Sequence, residues 1–197
     1  MKKLFLFLMI GSSSFILAQK MKVLSGNFDF LKGEKELNVQ FDYSNATFYN
    51  EKMTESQYVD KRAKEISKDK GEAEVEIWKA DWKYSKETSF MEKFVASMNK
   101  NVAIKTSVNP DAKYTVIVET IWIYPGWFAG VMNQPSKVST LLKFVESANP
   151  SNILLTVEAT KAPGDNFIGL PNNNDRIAEG YAKTGKSLAK MIDKKID

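Results

Sequence analysis

The chain contains neither cysteine nor histidine, so the side chains available for chemistry are carboxylates, lysines, tyrosines and hydroxyls. Cysteine nucleophiles, serine–histidine pairs and the usual zinc and copper sites all need one of the two missing residue types. We therefore predict no metal and no cofactor. If the chain is exported, the same absence predicts a fold that is held by its core without disulfides.

Glu119 is the carboxylate with the most unusual position, because it lies inside the apolar stretch KYTVIVETIWI of residues 113–123. A carboxyl group in such a strand can serve as a catalytic acid, or it can reach a lysine such as Lys143. No second carboxylate stands at a recognisable spacing from it. We predict no catalytic residue, and a carboxylate-dependent hydrolase of envelope glycan is an alternative function.

The segment YPGWFAGVMNQP, residues 124–135, has the composition of a loop but carries large apolar side chains. Rigid aromatic rings and an adaptable methionine on a loop are typical of a docking surface. The candidate binding residues here are Tyr124, Trp127, Phe128 and Met132. The alternative interpretation is a lid that folds over the protein's own core.

A second candidate loop, residues 161–173, contains Phe167 together with several glycines. If the three strands that begin at Lys113 form an up-down-up meander, both loops leave the same end of the sheet. A groove shared by the two loops is therefore the predicted binding site, with Phe167 close to Trp127. A binder of a small apolar ligand between the loops is a further alternative.

Three aromatic residues, Trp78, Trp82 and Tyr84, follow Val75 at helical spacing. Exposed rings in such a row can stack on sugars. A stripe of this kind is more often part of a hydrophobic core, which is the interpretation we favour.

The elements that must position these residues form a layered α+β fold. Residues 113–123 are apolar on both alternating faces, which predicts a central strand that is covered on both sides. Strands are also predicted at residues 22–30, 37–43, 102–105, 137–146 and 152–160, and helices after the capping boxes at Thr54 and Ser89 and after Asn172. This order predicts one domain, residues 19–197, with helices packed on a mixed, largely antiparallel sheet.

The first 18 residues have the pattern of a signal peptide. A basic start, Met1 to Lys3, precedes an apolar run and the sequence Ile16-Leu17-Ala18, which suits cleavage before Gln19. We therefore expect export to the periplasm or beyond, with no transmembrane span after cleavage. The expected partner of such an exported binding module is an envelope protein or glycan, and we make no prediction of oligomeric state.

The charge pattern argues against nucleic acid as a partner. The chain carries 28 lysines and arginines against 24 aspartates and glutamates, which is a small excess. Only Arg62 and Arg176 are arginines. Because the forked guanidinium group is preferred for recognising phosphates and bases, this scarcity is unlike a dedicated nucleic-acid binder.

A resemblance to known proteins rests on residues 89–192. A helix is followed by NPDAKYTVIV, residues 109–118, then by two further strands, and then by DRIA, residues 175–178, at the start of a terminal helix. This order resembles the small α/β envelope domain of the curli-assembly lipoprotein, of the lipoprotein activators of penicillin-binding proteins and of the Tol-system propeller protein. The whole chain also resembles uncharacterised secreted proteins of Gram-negative bacteria. The resemblance implies a non-enzymatic assembly or docking module, although this chain lacks the lipid-anchor cysteine of the lipoproteins.

Overall fold

The computed structural model describes residues 19–129, 132–164 and 172–196. The strands are β1 Lys20–Gly26, β2 Glu36–Asp42, β3 Thr47–Phe48, β4 Lys105–Ser107, β5 Tyr114–Tyr124, β6 Trp127–Ala129, β7 Met132–Gln134, β8 Lys137–Glu146 and β9 Asn149–Pro163. The helices are α1 Glu55–Lys70, α2 Glu72–Tyr84, α3 Phe90–Asn99 and α4 Asn173–Ile196. The predicted signal peptide lies outside the described residues.

The predicted central strand is β5, which lies inside a seven-stranded mixed sheet. Six of the strands follow the order β1-β9-β8-β5-β2-β4, and the seventh, β3, pairs with β5 outside this order. It pairs antiparallel with β8 on one side and parallel with β2 and β3 on the other. The meander β5-β8-β9 is antiparallel throughout, as predicted. The fold class is therefore confirmed as α+β, with the long pairings of the sheet antiparallel.

The core lies between the sheet and the helices. Phe94 of α3 meets Phe41 of β2 edge to face at a centroid distance of 5.7 Å. The hydroxyl of Tyr181, on α4, lies 2.7 Å from Thr120 Oγ1 on β5. Gly185 lets α4 approach α3, because a Cβ atom there would lie 2.5 Å from the carbonyl oxygen of Phe94. The glycine at this position of α4 therefore allows the two helices to pack closely.

The two faces of β5 are covered unequally. Val118 is completely buried on the side of the helices, whereas Ile117 on the opposite face is only half-buried. The expectation that β5 is fully covered on both sides is therefore wrong at Ile117. The side of Val118 is the one covered by α4, because Thr120, on the same face, contacts Tyr181.

Val118→Ala is expected to lower the free energy of unfolding by about 2–3 kcal/mol, because it leaves a cavity under α3 and α4. Ile117→Ala should cost roughly half as much, since part of its side chain is already in water. Urea unfolding of the two variants measures the difference. Equal losses would contradict the unequal covering of the two faces.

One predicted helix cap is present and the other is absent. At the start of α1, the backbone N–H of Thr54 donates to Gln57 Oε1 at 2.9 Å and that of Gln57 donates to Thr54 Oγ1 at 3.3 Å, which completes the predicted capping box. Ser89 caps nothing, because it ends a π-helical turn, Ser85–Ser89, that joins α2 to α3 without a break.

The π-helical turn has a packing reason. In a regular α-helix, the directions of Trp82 and Phe90 would differ by about 80° around the axis. A wider turn between them reduces this difference. Both side chains then face the core, where their rings meet edge to face at 5.9 Å.

The predicted strand ends differ from the structure at three places. β1 ends at Gly26, and Asp29–Leu31 form a short 3₁₀ helix instead of continuing the strand. The predicted strand at residues 102–105 is displaced to β4, and β9 begins before the predicted position. None of the helices in the described ranges is long and apolar enough to cross a membrane.

Candidate functional site

The predicted binding segments begin side by side at one end of the sheet. Tyr124 at the end of β5 and Pro163 at the end of β9 both pair with Lys137 of β8. Glycines follow both ends and pack closely on Ser136. A Cβ atom at Gly126 would lie 2.7 Å from the Ser136 nitrogen, and one at Gly164 would overlap Ser136 Oγ. Larger residues would therefore separate the two segments.

The segment after β5 is a β-hairpin rather than the predicted irregular loop. β6 and β7 pair antiparallel, with Trp127 opposite Gln134 and Phe128 opposite Asn133. The backbone positions of Phe128 and Met132 are described, but their side chains are not. Phe167 lies outside the described residues, so its predicted approach to Trp127 stays a prediction.

Trp127 forms one wall of a cleft of about 440 Å³, which we call the Trp127 cleft. The side chain is 41 % exposed. Tyr49, after β3, forms part of the opposite wall. The remaining walls come from α1 and from the first turn of α4; they are Lys61, Arg62, Glu65, Asn173 and Arg176.

A second cleft of about 500 Å³, the α1–α2 cleft, adjoins the first. The two share Arg62, Glu65 and Asn173 as lining residues. Its apolar lining residues include Trp78 and Ile77 of α2, and most of the other lining residues are charged. Together the clefts form a continuous groove along α1, with tryptophan side chains in both parts.

The aromatic stripe of α2 is divided between core and surface. Val75 and Trp82 are buried, as the core interpretation predicted. Trp78 is half-buried and stacks on Trp82 at 6.3 Å, with one part facing the α1–α2 cleft. Tyr84 is 56 % exposed and lines neither cleft.

Both arginines of the chain line the Trp127 cleft. Arg62 Nη1 donates to Glu65 Oε2 at 2.8 Å, and Arg176 Nη2 donates to Asn173 Oδ1. The Nε atom of each guanidinium group is buried without a hydrogen-bond partner in the described structure. Burial lowers the pKa of Arg176, and the positive charge of Arg62 lowers that pKa further.

Tyr49 is held in an unusual backbone conformation beside this cleft. Its φ angle is 55°, in the left-handed region that bulky residues rarely occupy. Its N–H donates to the carbonyl of Ile123 at 3.0 Å, and its carbonyl accepts from Trp122 Nε1 at 2.8 Å. These bonds to β5 fix the ring against Tyr124 at a centroid distance of 5.9 Å. Strained conformations of this kind occur preferentially at functional sites.

Tyr124 does not share the Trp127 cleft, although the sequence placed the two residues in one site. Its hydroxyl donates to Gln134 Oε1 at 2.8 Å, and its ring stacks on Trp122. It lines a separate shallow depression that includes Lys137 and Lys161. Trp127 is thus the only predicted binding residue whose described side chain lines the groove.

Glu119 forms an ion pair with Lys143, as one of the two sequence interpretations predicted. Lys143 Nζ lies 2.5 Å from Glu119 Oε2, and Asn45 Nδ2 donates to Glu119 Oε1 at 2.7 Å. Because Thr120 faces α4, the neighbouring Glu119 projects from the opposite face of the sheet. The pair is therefore structural and lies away from both clefts.

Several other groups that could perform acid–base chemistry already have partners or are held neutral by burial. Burial raises the pKa values of Tyr43, Tyr58 and Tyr181, so these phenols remain neutral. In the α1–α2 cleft, Asp81 Oδ2 accepts hydrogen bonds from the amides of Asn172 at 2.7 Å and Asn174 at 2.6 Å. Glu65 is paired with Arg62. These contacts engage Glu65 and Asp81, whereas hydrolysis by a carboxyl pair needs a protonated carboxyl group facing a free carboxylate.

Sequence reasoning missed the arginines, Tyr49 and Asn173 as site residues. A signal for the arginines was present, since Arg62 stands among apolar residues at helical spacing in a chain that otherwise uses lysine. The predicted helix at Asn172 likewise brings Arg176 into its first turn, where a cation opposes the helix dipole. No local signal marked Tyr49.

No known protein family and no curated protein matches the chain. Two solved structures that resemble it are dodecamers of PelC from Paraburkholderia phytofirmans, one of a single-residue variant and one without it. Each is 14 % identical to this chain, and the alignment covers 87 % of this chain and 97 % of the PelC chain. The TM-scores are 0.44 and 0.43. At these scores the likeness carries no argument about function or assembly.

Proposed function

We propose that the protein is a non-enzymatic binding module of the bacterial cell envelope, exported to the periplasm or beyond, which docks an envelope protein or glycan at the Trp127 cleft. The observation that carries the proposal is the position of Trp127. Its ring is partly exposed at the wall of a cleft instead of packed as a lid on the core.

Trp127 has the properties of an anchor for a partner. Tryptophan contributes more binding energy than most residues, because it combines a large apolar surface with a hydrogen-bond donor. The hairpin and the glycine contacts at Ser136 hold its backbone in place. A partner would therefore meet a wall that is already formed.

The nature of the groove favours this function over the two alternatives. A binder of small apolar ligands needs walls that are mostly apolar. Here charged and amide side chains make up most of the lining of the Trp127 cleft. The hydrolase alternative needs a free pair of carboxyl groups, and two of the four carboxylates that line the clefts, Glu65 and Asp81, are already engaged by Arg62 and by asparagine amides. The N-terminal export pattern and the resemblance to envelope assembly domains support the proposed location.

Trp127→Ala is expected to abolish capture of the partner when the tagged protein is incubated with its own envelope fraction. The change removes an exposed side chain, so its effect on stability should stay within about 0.5 kcal/mol. The melting temperature should then change by no more than about 2 °C. Tyr84→Ala is the matched control, because it also removes an exposed aromatic ring but lies outside the groove.

Recovery of the same partner by wild type and by the Trp127 variant would contradict the proposal. A large fall in melting temperature would show instead that Trp127 packs as part of the core. Loss of the partner in the Tyr84 variant as well would show that capture does not depend on this cleft.

A further inference from the structure

The two arginines of this chain lie at one place in the fold. Of 28 basic residues only two are arginines, and both line the Trp127 cleft from different helices. Arginine differs from lysine in presenting several N–H groups in a rigid plane that matches an oxyanion. A chain that otherwise relies on lysine thus places both of its guanidinium groups at this one cleft.

The contacts among the described residues use little of this donor capacity. In the described parts of the chain, each guanidinium group makes one side-chain hydrogen bond. Arg176 is only 3 % exposed, and no carboxylate of the described residues forms an ion pair with it. Buried charges in proteins are normally paired, because an unpaired one is costly to desolvate.

The cleft also carries an excess of positive charge. Lys61, Arg62 and Arg176 face a single carboxylate, Glu65, which gives a net charge of plus two among the lining residues. The position of Arg176 in the first turn of α4 adds to this excess, because the positive end of the helix dipole lies there. An anion that carries about two negative charges would balance the cleft.

We propose that Arg62 and Arg176 form a binding site for a phosphate monoester, with Trp127 beside the group to which the phosphate is attached. The phosphate oxygens accept hydrogen bonds from the two guanidinium groups, and Lys61 adds a further positive charge at the rim. This inference rests on the proposed function, since it takes the same cleft to be the binding site and specifies the chemistry of the ligand.

The site has a consequence for stability that a purely structural arginine would not have. If Arg176 is retained for its ligand, the unliganded protein should be more stable without it. Arg176→Met keeps the length of the side chain and removes the buried charge. This variant is expected to melt at a higher temperature than the wild type in chloride buffer.

Inorganic phosphate is the first probe. In buffers of equal ionic strength, phosphate should raise the melting temperature of the wild-type protein in a saturable manner. The same anion should have a much smaller effect on Arg176→Met. The variant is also the control for the general stabilising action of phosphate on proteins, because that action does not depend on Arg176 and should be the same in both proteins.

The presence of only two arginines allows a direct spectroscopic test. Arginine labelled with ¹⁵N gives one Nε–H signal from Arg62 and one from Arg176. Both signals should shift on titration with inorganic phosphate and with glucose 1-phosphate, and neither should shift with glucose. The sugar phosphate should bind more tightly than phosphate alone, and Trp127→Ala should remove that difference.

Three results would overturn the inference. The signals could remain unchanged at millimolar phosphate, Arg176→Met could be destabilised without losing a phosphate response, or acetate could shift the signals as strongly as phosphate. These failures are distinguishable from failure of the proposed function. Loss of the phosphate site would leave Trp127-dependent capture intact, whereas a phosphate response without such capture would overturn the docking role alone.

Discussion

Lys143→Met is expected to lower the free energy of unfolding by about 3 kcal/mol, because it leaves the carboxylate of Glu119 without its cation. Glu119 is only 5 % exposed, and after the change Asn45 alone would hydrogen-bond it. Removing one partner of a buried pair generally costs about 3–5 kcal/mol. The lower end applies because the Lys143 side chain is 31 % exposed. Urea unfolding measures the loss, provided that the dependence of the unfolding free energy on urea concentration is the same in the variant and in the wild type.

Two further variants test the explanation. Lys32→Met breaks the pair with Asp29, in which both side chains are more than half exposed, and should change stability by less than about 0.5 kcal/mol. Combining Lys143→Met with Glu119→Gln should cost less than Lys143→Met alone, because no charge is then left buried. A Lys143 variant as stable as the wild type would show that the pair is well solvated.

Phe94→Ala is expected to cost about 3–5 kcal/mol, which is typical of a buried phenylalanine. Phe94 is fully buried, and its ring meets Phe41 edge to face. The backbone of the same residue is where α4 passes α3 most closely, at Gly185. Two helices held by such a contact have little freedom to collapse into the cavity, so we expect a value near the upper end of the range.

The matched control for Phe94→Ala is Tyr84→Ala, which removes an aromatic ring from the same helical layer at an exposed position. It should change stability by less than about 0.5 kcal/mol. If Phe94→Ala cost less than about 1 kcal/mol, the close packing of α3 and α4 described here would be wrong.

The parts of the fold that the sequence predicted are those determined by local patterns. Alternating β-branched and aromatic residues identified β5, and a hydroxyl followed by glutamine identified the start of α1. Ser89 has the same local pattern as Thr54 but caps nothing. Core packing around Trp82 and Phe90 keeps that segment helical, and this contact is not visible in the local sequence.

The candidate site was predictable in the same limited sense. Trp127 was identifiable because turn chemistry does not require an aromatic residue at its position. Arg62 and Arg176 lie far apart in the chain, and only the tertiary fold brings them to the same cleft. The pairing of Tyr124 with Gln134 likewise depends on the geometry of the hairpin, which separates Tyr124 from Trp127.

The parallel pairing of β2 with β5 has a consequence for how the chain assembles. It joins Asn38 to Thr115 and Asp42 to Glu119, across an interval that contains β3, three α-helices and β4. The meander β5-β8-β9 joins segments that are neighbours in the chain, so its loops close at a smaller cost in entropy. We expect the meander to form first and one edge of β5 to remain open until β2 arrives. During that interval the open edge of this apolar strand can pair with β2 or with a strand of another molecule. Pairing with β2 completes the fold, whereas pairing with another molecule leads to aggregation.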